Sequence, residues 1–165
     1  MSFDVFLQRF APVGEEFDER AALAELLRAI HDLQCESITA TMGEHEGKAE
    51  IEIDLPLGNG YLGPKGAALF LRTLHPEIMR LIHALAVVGD MVIIPAMEPA
   101  RFILVREEQR QHLPQDLDWE EPVVCAAPDD LGALLLGGFD EWAAYRDHVL
   151  RDAEGMPSTD GGPEG

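Results

Sequence analysis

The chain has 165 residues, an apolar fraction of 47% and two cysteines. That suits a single domain with a core large enough to fold without disulfide or metal staples. Twelve basic residues against 31 acidic ones give a formal net charge of −19, which repels phosphate backbones and anionic lipid and argues against binding to nucleic acid or a membrane surface. No apolar run approaches the ~20 residues of a membrane span, and the opening Met1-Ser2-Phe3-Asp4 lacks the basic and apolar regions of an export signal, so the cytoplasm is the expected compartment.

Phe3-Asp4-Val5-Phe6-Leu7-Gln8 alternates and is rich in β-formers, so it predicts a strand with Phe3, Val5 and Leu7 on one face. Pro12 and Gly14 break it. Asp18 is placed to cap a helix to about Leu33, whose Leu23, Leu26, Leu27, Ile30 and Leu33 form one apolar stripe. A weaker strand is expected from Ser37 to Met42. After the polar turn Gly43-Glu44-His45-Glu46-Gly47, the run from Ala49 to Leu55 alternates strictly. Ala49, Ile51, Ile53 and Leu55 face in, and Glu50, Glu52 and Asp54 face out, which predicts an antiparallel hairpin.

The segment Gly58-Asn59-Gly60-Tyr61-Leu62-Gly63-Pro64-Lys65-Gly66 reads as a Gly-rich loop. A helical region is expected from about Pro64 to Val88, either kinked at Pro76 or divided into two helices with the second starting near Pro76, with Ile78, Leu81, Ile82 and Leu85 buried and Gly89-Asp90 ending it. Met91 to Ile94 suits an inner strand, and Arg101 to Arg106 a further one. The stretch 107–121 is polar and contains Trp119. Val123 to Ala126 suits a short edge strand. Pro128 opens a helix that Gly137-Gly138 is expected to end, and a last helix follows from about Phe139 to Arg151 with Trp142, Tyr145 and Val149 on one side.

The expected fold is α+β: a mainly antiparallel sheet with helices packed on one face, in ferredoxin-like (split βαβ) order, plus C-terminal helices. Residues 1–151 form one domain, and 152–165, rich in Gly, Pro and acid, a disordered acidic tail.

Candidate chemistry is sparse. Gly58-x-Gly60-x-x-Gly63 matches a dinucleotide fingerprint as a string. However, Pro64 removes an amide donor, the preceding strand reads as antiparallel, and no ribose-binding acid follows at the right distance. What remains is a small-anion site at Gly60, Gly63 and Lys65. The row Glu50, Glu52, Asp54 spaces carboxylates about 7 Å apart along one strand face, too far for neighbours to share one metal, with Arg101 or Arg106 as the expected cationic neighbour. Trp119 stands among acids in Asp116-Leu117-Asp118-Trp119-Glu120-Glu121; an aromatic ringed by acids suits either an anchor for a basic partner or a residue that pins the loop down. The partner-binding candidates are therefore Glu50, Glu52, Asp54, Asp118, Trp119 and Glu120.

No His falls in a metal-ligand spacing, no Ser sits in a nucleophile elbow, and Cys35 and Cys125 read as buried, reduced thiols. No catalytic residue, metal or cofactor is assigned. His75 reads as a helix-entry residue and His83 as a packed core residue. Trp142, Tyr145 and Phe139 read as docking the last helix on the core.

Only Lys48 and Lys65 among the twelve cations are lysines, which with abundant Ala and Gly points to a GC-rich bacterial genome. The opening Met1-Ser2-Phe3-Asp4-Val5-Phe6-Leu7-Gln8, with Phe139-Asp140-Glu141-Trp142 and Tyr145-Arg146, resembles small bacterial proteins that begin MSFD or MSYD before an apolar FLQ-like run. That resemblance implies no activity.

The expected function is non-catalytic: an acidic interaction protein that binds a basic protein, as an immunity protein or inhibitor does. The alternatives are a small-molecule or phosphate-binding protein, or an enzyme, with a pocket near the 58–66 loop, and a homodimer through the open sheet face.

Overall fold

The computed structural model describes residues 2–159, with side chains through Arg151. Strand β1 (Phe3–Gln8) leads into helix α1 (Glu19–Asp32), which Asp18 caps by accepting from the amides of Arg20 and Ala21. A four-strand meander follows: β2 (Thr39–His45), β3 (Lys48–Leu55), β4 (Gly58–Leu62) and β5 (Gly66–Leu71). Helix α2 (Pro76–Gly89) is entered through the cap His75, whose ring accepts from the Glu77 amide, and ends at Asp90 in the left-handed conformation. Strands β6 (Val92–Pro95) and β7 (Ile103–Leu104), a 3-10 turn (Glu107–His112), strand β8 (Val123–Val124) and helix α3 (Pro128–Thr159) complete the chain.

All eight strands form one sheet in the order β2-β3-β4-β5-β1-β6-β7-β8. Every pairing is antiparallel except β7 with β8. The architecture is thus α+β and mostly antiparallel. The split βαβ order is not what is observed. The meander returns β5 to one side of β1, and α2 carries the chain across to place β6 on the other. The buried stripes of α1, α2 and α3 meet Phe3, Val5, Leu7, Ile51, Ile53, Leu69 and Ile93 in one core on a single sheet face.

Two further expectations are corrected. Residues 66–71 are not the start of a helix, and 58–62 are not a loop; both are strands. Gly66-Ala67-Ala68-Leu69-Phe70-Leu71 has good helix formers, but a six-residue apolar run carries too little periodicity to choose its own state. Pairing with β4 on one side and β1 on the other decides it. The glycines of β4 serve that pairing: a Cβ on Gly60 would lie 2.8 Å from the Ala68 carbonyl oxygen, and one on Gly58 2.5 Å from that of Phe70.

Gly137-Gly138 does not end a helix either; α3 runs through it. Met97 packs so close that a Cβ on Gly138 would stand 2.5 Å from the Met97 Cβ. The expected strand 101–106 is reduced to Ile103–Leu104. The tail expected from residue 152 begins within α3, and its residues 160–165 lie outside the described ones.

The second sheet face is covered at one end only. There Val92, Phe102, Leu104 and Leu113 form a small second core with Phe10 and Ile94. The segment that covers it is pinned at its base. The Gln109 carboxamide accepts from the Val105 amide at 2.9 Å and donates to the Met91 carbonyl and to Asp90, both at 3.1 Å. Arg106 reaches Asp90 at 2.8 Å and the Val87 carbonyl at 3.3 Å, and Arg9 approaches the same carboxylate at 3.7 Å. Both cations thereby sit at the negative pole of α2.

Candidate functional site

The uncovered part of the second face is built by strand alternation. Glu50, Glu52 and Asp54 point away from the core because Ile51, Ile53 and Leu55 point into it. Register carries Glu52 across the sheet as one continuous row: Thr41, Glu52, Tyr61, Ala68, Phe6 and Ile94 lie directly opposite one another on six successive strands. A second row runs Thr39, Asp54, Asn59, Phe70, Asp4. The face therefore changes character along its width, from carboxylates on β3, through Tyr61, to an apolar band of Ala68, Phe70, Phe6 and Ile94. Phe6 and Tyr61 are each 40% exposed.

Glu50, Glu52 and Asp54 form no ion pair among the described residues, and Asp54 accepts only a long 3.5 Å bond from the Thr39 hydroxyl. The cations expected opposite them are engaged elsewhere: Arg101 faces Glu120 at 4.0 Å and Arg106 holds Asp90. Beside the row, Gly43 leaves the strand surface bare; a Cβ there would meet no atom within 4 Å. A shallow depression of about 580 Å³ results, walled by Gly43, His45, Glu50, Glu52 and Tyr61.

At the other end the band runs into an apolar groove of about 580 Å³ between the sheet, the loop after β6 and α3, lined by Phe6, Ile94, Met97, Trp119, Trp142 and Tyr145. Trp119 is held there by stacking on Phe102, with ring centres 4.5 Å apart. Glu120 is fixed by its amide, which donates to the Ala100 carbonyl at 2.9 Å. Phe139 and Trp142 dock on the core as the sequence predicts, but Tyr145 does not follow them and is 61% exposed. The Trp142 ring carries the Arg146 guanidinium 4.8 Å above it.

Of the second group of partner-binding candidates, Trp119 thus borders the same face as Glu50, Glu52 and Asp54, whereas Glu120 turns to Arg101 and a neighbouring hollow with Phe102 and Leu113, and Asp118 is exposed outside the groove's lining. The strands between β3 and β6 separate the acid row from the groove by about 19 Å at about 4.8 Å per strand. The sequence missed what joins them, namely Phe6, Phe70, Tyr61 and Ile94. Its one available signal was Phe6, an aromatic on the outward side of an alternating strand.

The anion-site candidates do not converge in this way. Gly60 is a buried strand residue; the Gly63 amide donates to the Gly66 carbonyl at 2.8 Å, closing the β4–β5 turn; and the Lys65 ammonium lies 3.9 Å from Glu19. No helix begins at that turn, so the expected helix N-terminus is not there to hold an anion.

Both cysteines are buried and free. Burial pushes the Cys35 thiol up, and Glu77 adds to the effect, against the Arg80 guanidinium 3.6 Å from its sulfur. Burial likewise pushes the Cys125 thiol up. Neither is an activated thiolate. His83 is buried against the Cys125 carbonyl, 3.0 Å from its Nε2. Among the described residues no group of three or more His, Cys, Asp or Glu is placed to hold a metal ion, and no helix is long and apolar enough to cross a membrane.

Comparison of the chain with protein-family models, with curated proteins and with solved structures finds no match in any of the three.

Proposed function

We propose that this chain is a non-catalytic interaction protein whose uncovered sheet face binds a basic protein partner, in the manner of an immunity protein or inhibitor. One observation supports the reading above the others: the carboxylates of β3, without cationic partners among the described residues, share a face with an exposed apolar band and the Trp119 groove. Apolar and aromatic surface at the centre supplies most of the affinity of such an interface. A single-sign rim supplies steering and choice of partner. The net charge of −19 selects the sign of that partner.

The test uses the full chain and the variant Glu50→Lys/Glu52→Lys/Asp54→Lys, side by side, as baits in lysate of the native host at low salt. The expected result is a basic protein retained by the first bait and not by the second, with an affinity that falls as salt rises. Two baits that retain the same proteins, or a partner whose affinity ignores ionic strength, would overturn the proposal.

A further inference from the structure

Strand β2 ends the sheet, with β3 on one side and no strand on the other among the described residues. Its hairpin with β3 closes through the two residues Glu46 and Gly47, both at positive φ, 53° and 79°. That is the two-residue turn whose flanking residues, here His45 and Lys48, exchange both backbone hydrogen bonds. In an antiparallel ladder such pairs alternate with non-bonded ones. His45, Gly43, Thr41 and Thr39 therefore bond inward to β3. Glu44, Met42 and Ala40 present their amides and carbonyls outward. Edges of this kind are normally blunted by proline, lysine or a bulge. The β2 segment Thr-Ala-Thr-Met-Gly-Glu-His carries neither residue type, and it pairs with β3 without a bulge over all seven positions.

The two sides of this edge differ in chemistry. Toward the helices, Met42 is 43% exposed and borders a depression of about 380 Å³ with Leu23, Arg20 and Ala49. Toward the open face lie the carboxylates of Glu50 and Glu52, one strand further in. Gly43 stands directly opposite Glu50 and leaves the path to it clear. A glycine inside a strand weakens it. Neither a left-handed φ nor a close neighbour demands one at position 43.

From this geometry we propose that β2 is a docking edge that accepts an extended segment of the basic partner as a ninth strand. The inference rests on the function proposed above and deepens it. Main-chain bonds to Ala40, Met42 and Glu44 hold the segment. Its side chains alternate: apolar residues pack against Met42 and Leu23, and Lys or Arg residues pass over Gly43 to Glu50 and Glu52. Two strand spacings, about 10 Å, separate the added strand from β3, within the combined reach of a long cation and a glutamate. Charge sets this occupant above a second copy of the chain, which would bring the same unpaired carboxylates to the junction.

The experiment follows backbone amide exchange, residue by residue, in the free full chain and in its complex with the partner retained by the wild-type bait. Ala40, Met42 and Glu44 are expected to slow at least tenfold on binding, whereas Thr41 and Gly43, already in the ladder, change little. Met42→Pro removes one outward donor without touching the bonds to β3 and is expected to weaken binding at least tenfold. A complex that needs the acidic face but leaves the three outward amides unprotected overturns the docking edge and spares the function. Failure to retain any basic partner overturns both. Protection of the same amides in the free chain, with an ultracentrifugation mass of two chains, overturns the proposal in favour of self-pairing.

Discussion

The two ends of the second sheet face belong to one sheet and meet water differently. At the β6–β7–β8 end, Val92, Phe102, Leu104 and Leu113 are roofed by the segment that carries the 3-10 turn and Trp119. At the β2–β3 end the strands are exposed, and beside Gly43 the outward positions are polar or charged: Thr39, Thr41 and His45 on β2 and Lys48, Glu50, Glu52 and Asp54 on β3. The contrast shows that the acid row is a property of an uncovered surface, whereas a roofed surface of the same sheet is apolar. Between the two, Phe6 and Tyr61 are apolar without a roof. That mismatch, more than the charge, marks the middle of the face as a place for something else to sit.

The comparison breaks hardest at the roofed end. Phe102 packs edge-on to Phe10 and stacks on Trp119, so Phe102→Ala is expected to cost about 3–5 kcal/mol. Denaturant unfolding followed by the emission of Trp119 and Trp142 measures it; a loss below 1 kcal/mol would mean that the roof is not packed as described. Gln109→Ala comes next. It leaves the Val105 amide and the Met91 carbonyl without their partner, at a cost of about 1–3 kcal/mol, and loosens the roof without touching the acid row. A variant as stable as the parent would show that water replaces the carboxamide. The smallest effects distinguish two glycines of the meander. Gly60→Ala drives a Cβ against the Ala68 carbonyl and is expected to lose about 1–3 kcal/mol. Gly43→Ala meets open space and is expected to gain up to about 1 kcal/mol through the unfolded chain. Equal melting shifts for the two would remove the case for Gly43 as a cleared path.

How much of this could be read in advance follows from the range of each cause. Local causes were legible. The strict alternation of 49–55 gave β3 and its outward acids, Asp18 and the leucine stripe gave α1, and His75-Pro76 with Gly89-Asp90 bounded α2. Distant causes were not. Residues 66–71 became a strand because β1, far upstream, lies beside them, and Gly58 and Gly60, which share one face of β4, resembled a loop. Glu52 and Trp119 were each conspicuous in the sequence, yet that they border one face depends on strand order, which no window of sequence contains. Gln109 was invisible because a polar residue in a polar run shows nothing of the buried backbone groups it will satisfy.

The location of β1 has a consequence for how the molecule comes into being. The segment 3–8, near the start of the chain, lies in the interior of the sheet and needs both β5 and β6 to cover its edges. During synthesis one of its edges must wait until residue 71 has left the ribosome, and the other until residue 95 has. Such long-range closure is slow and leaves a sticky ribbon exposed meanwhile. The outward Asp4 and Gln8 that flank Phe6 place polar groups on that ribbon throughout the wait.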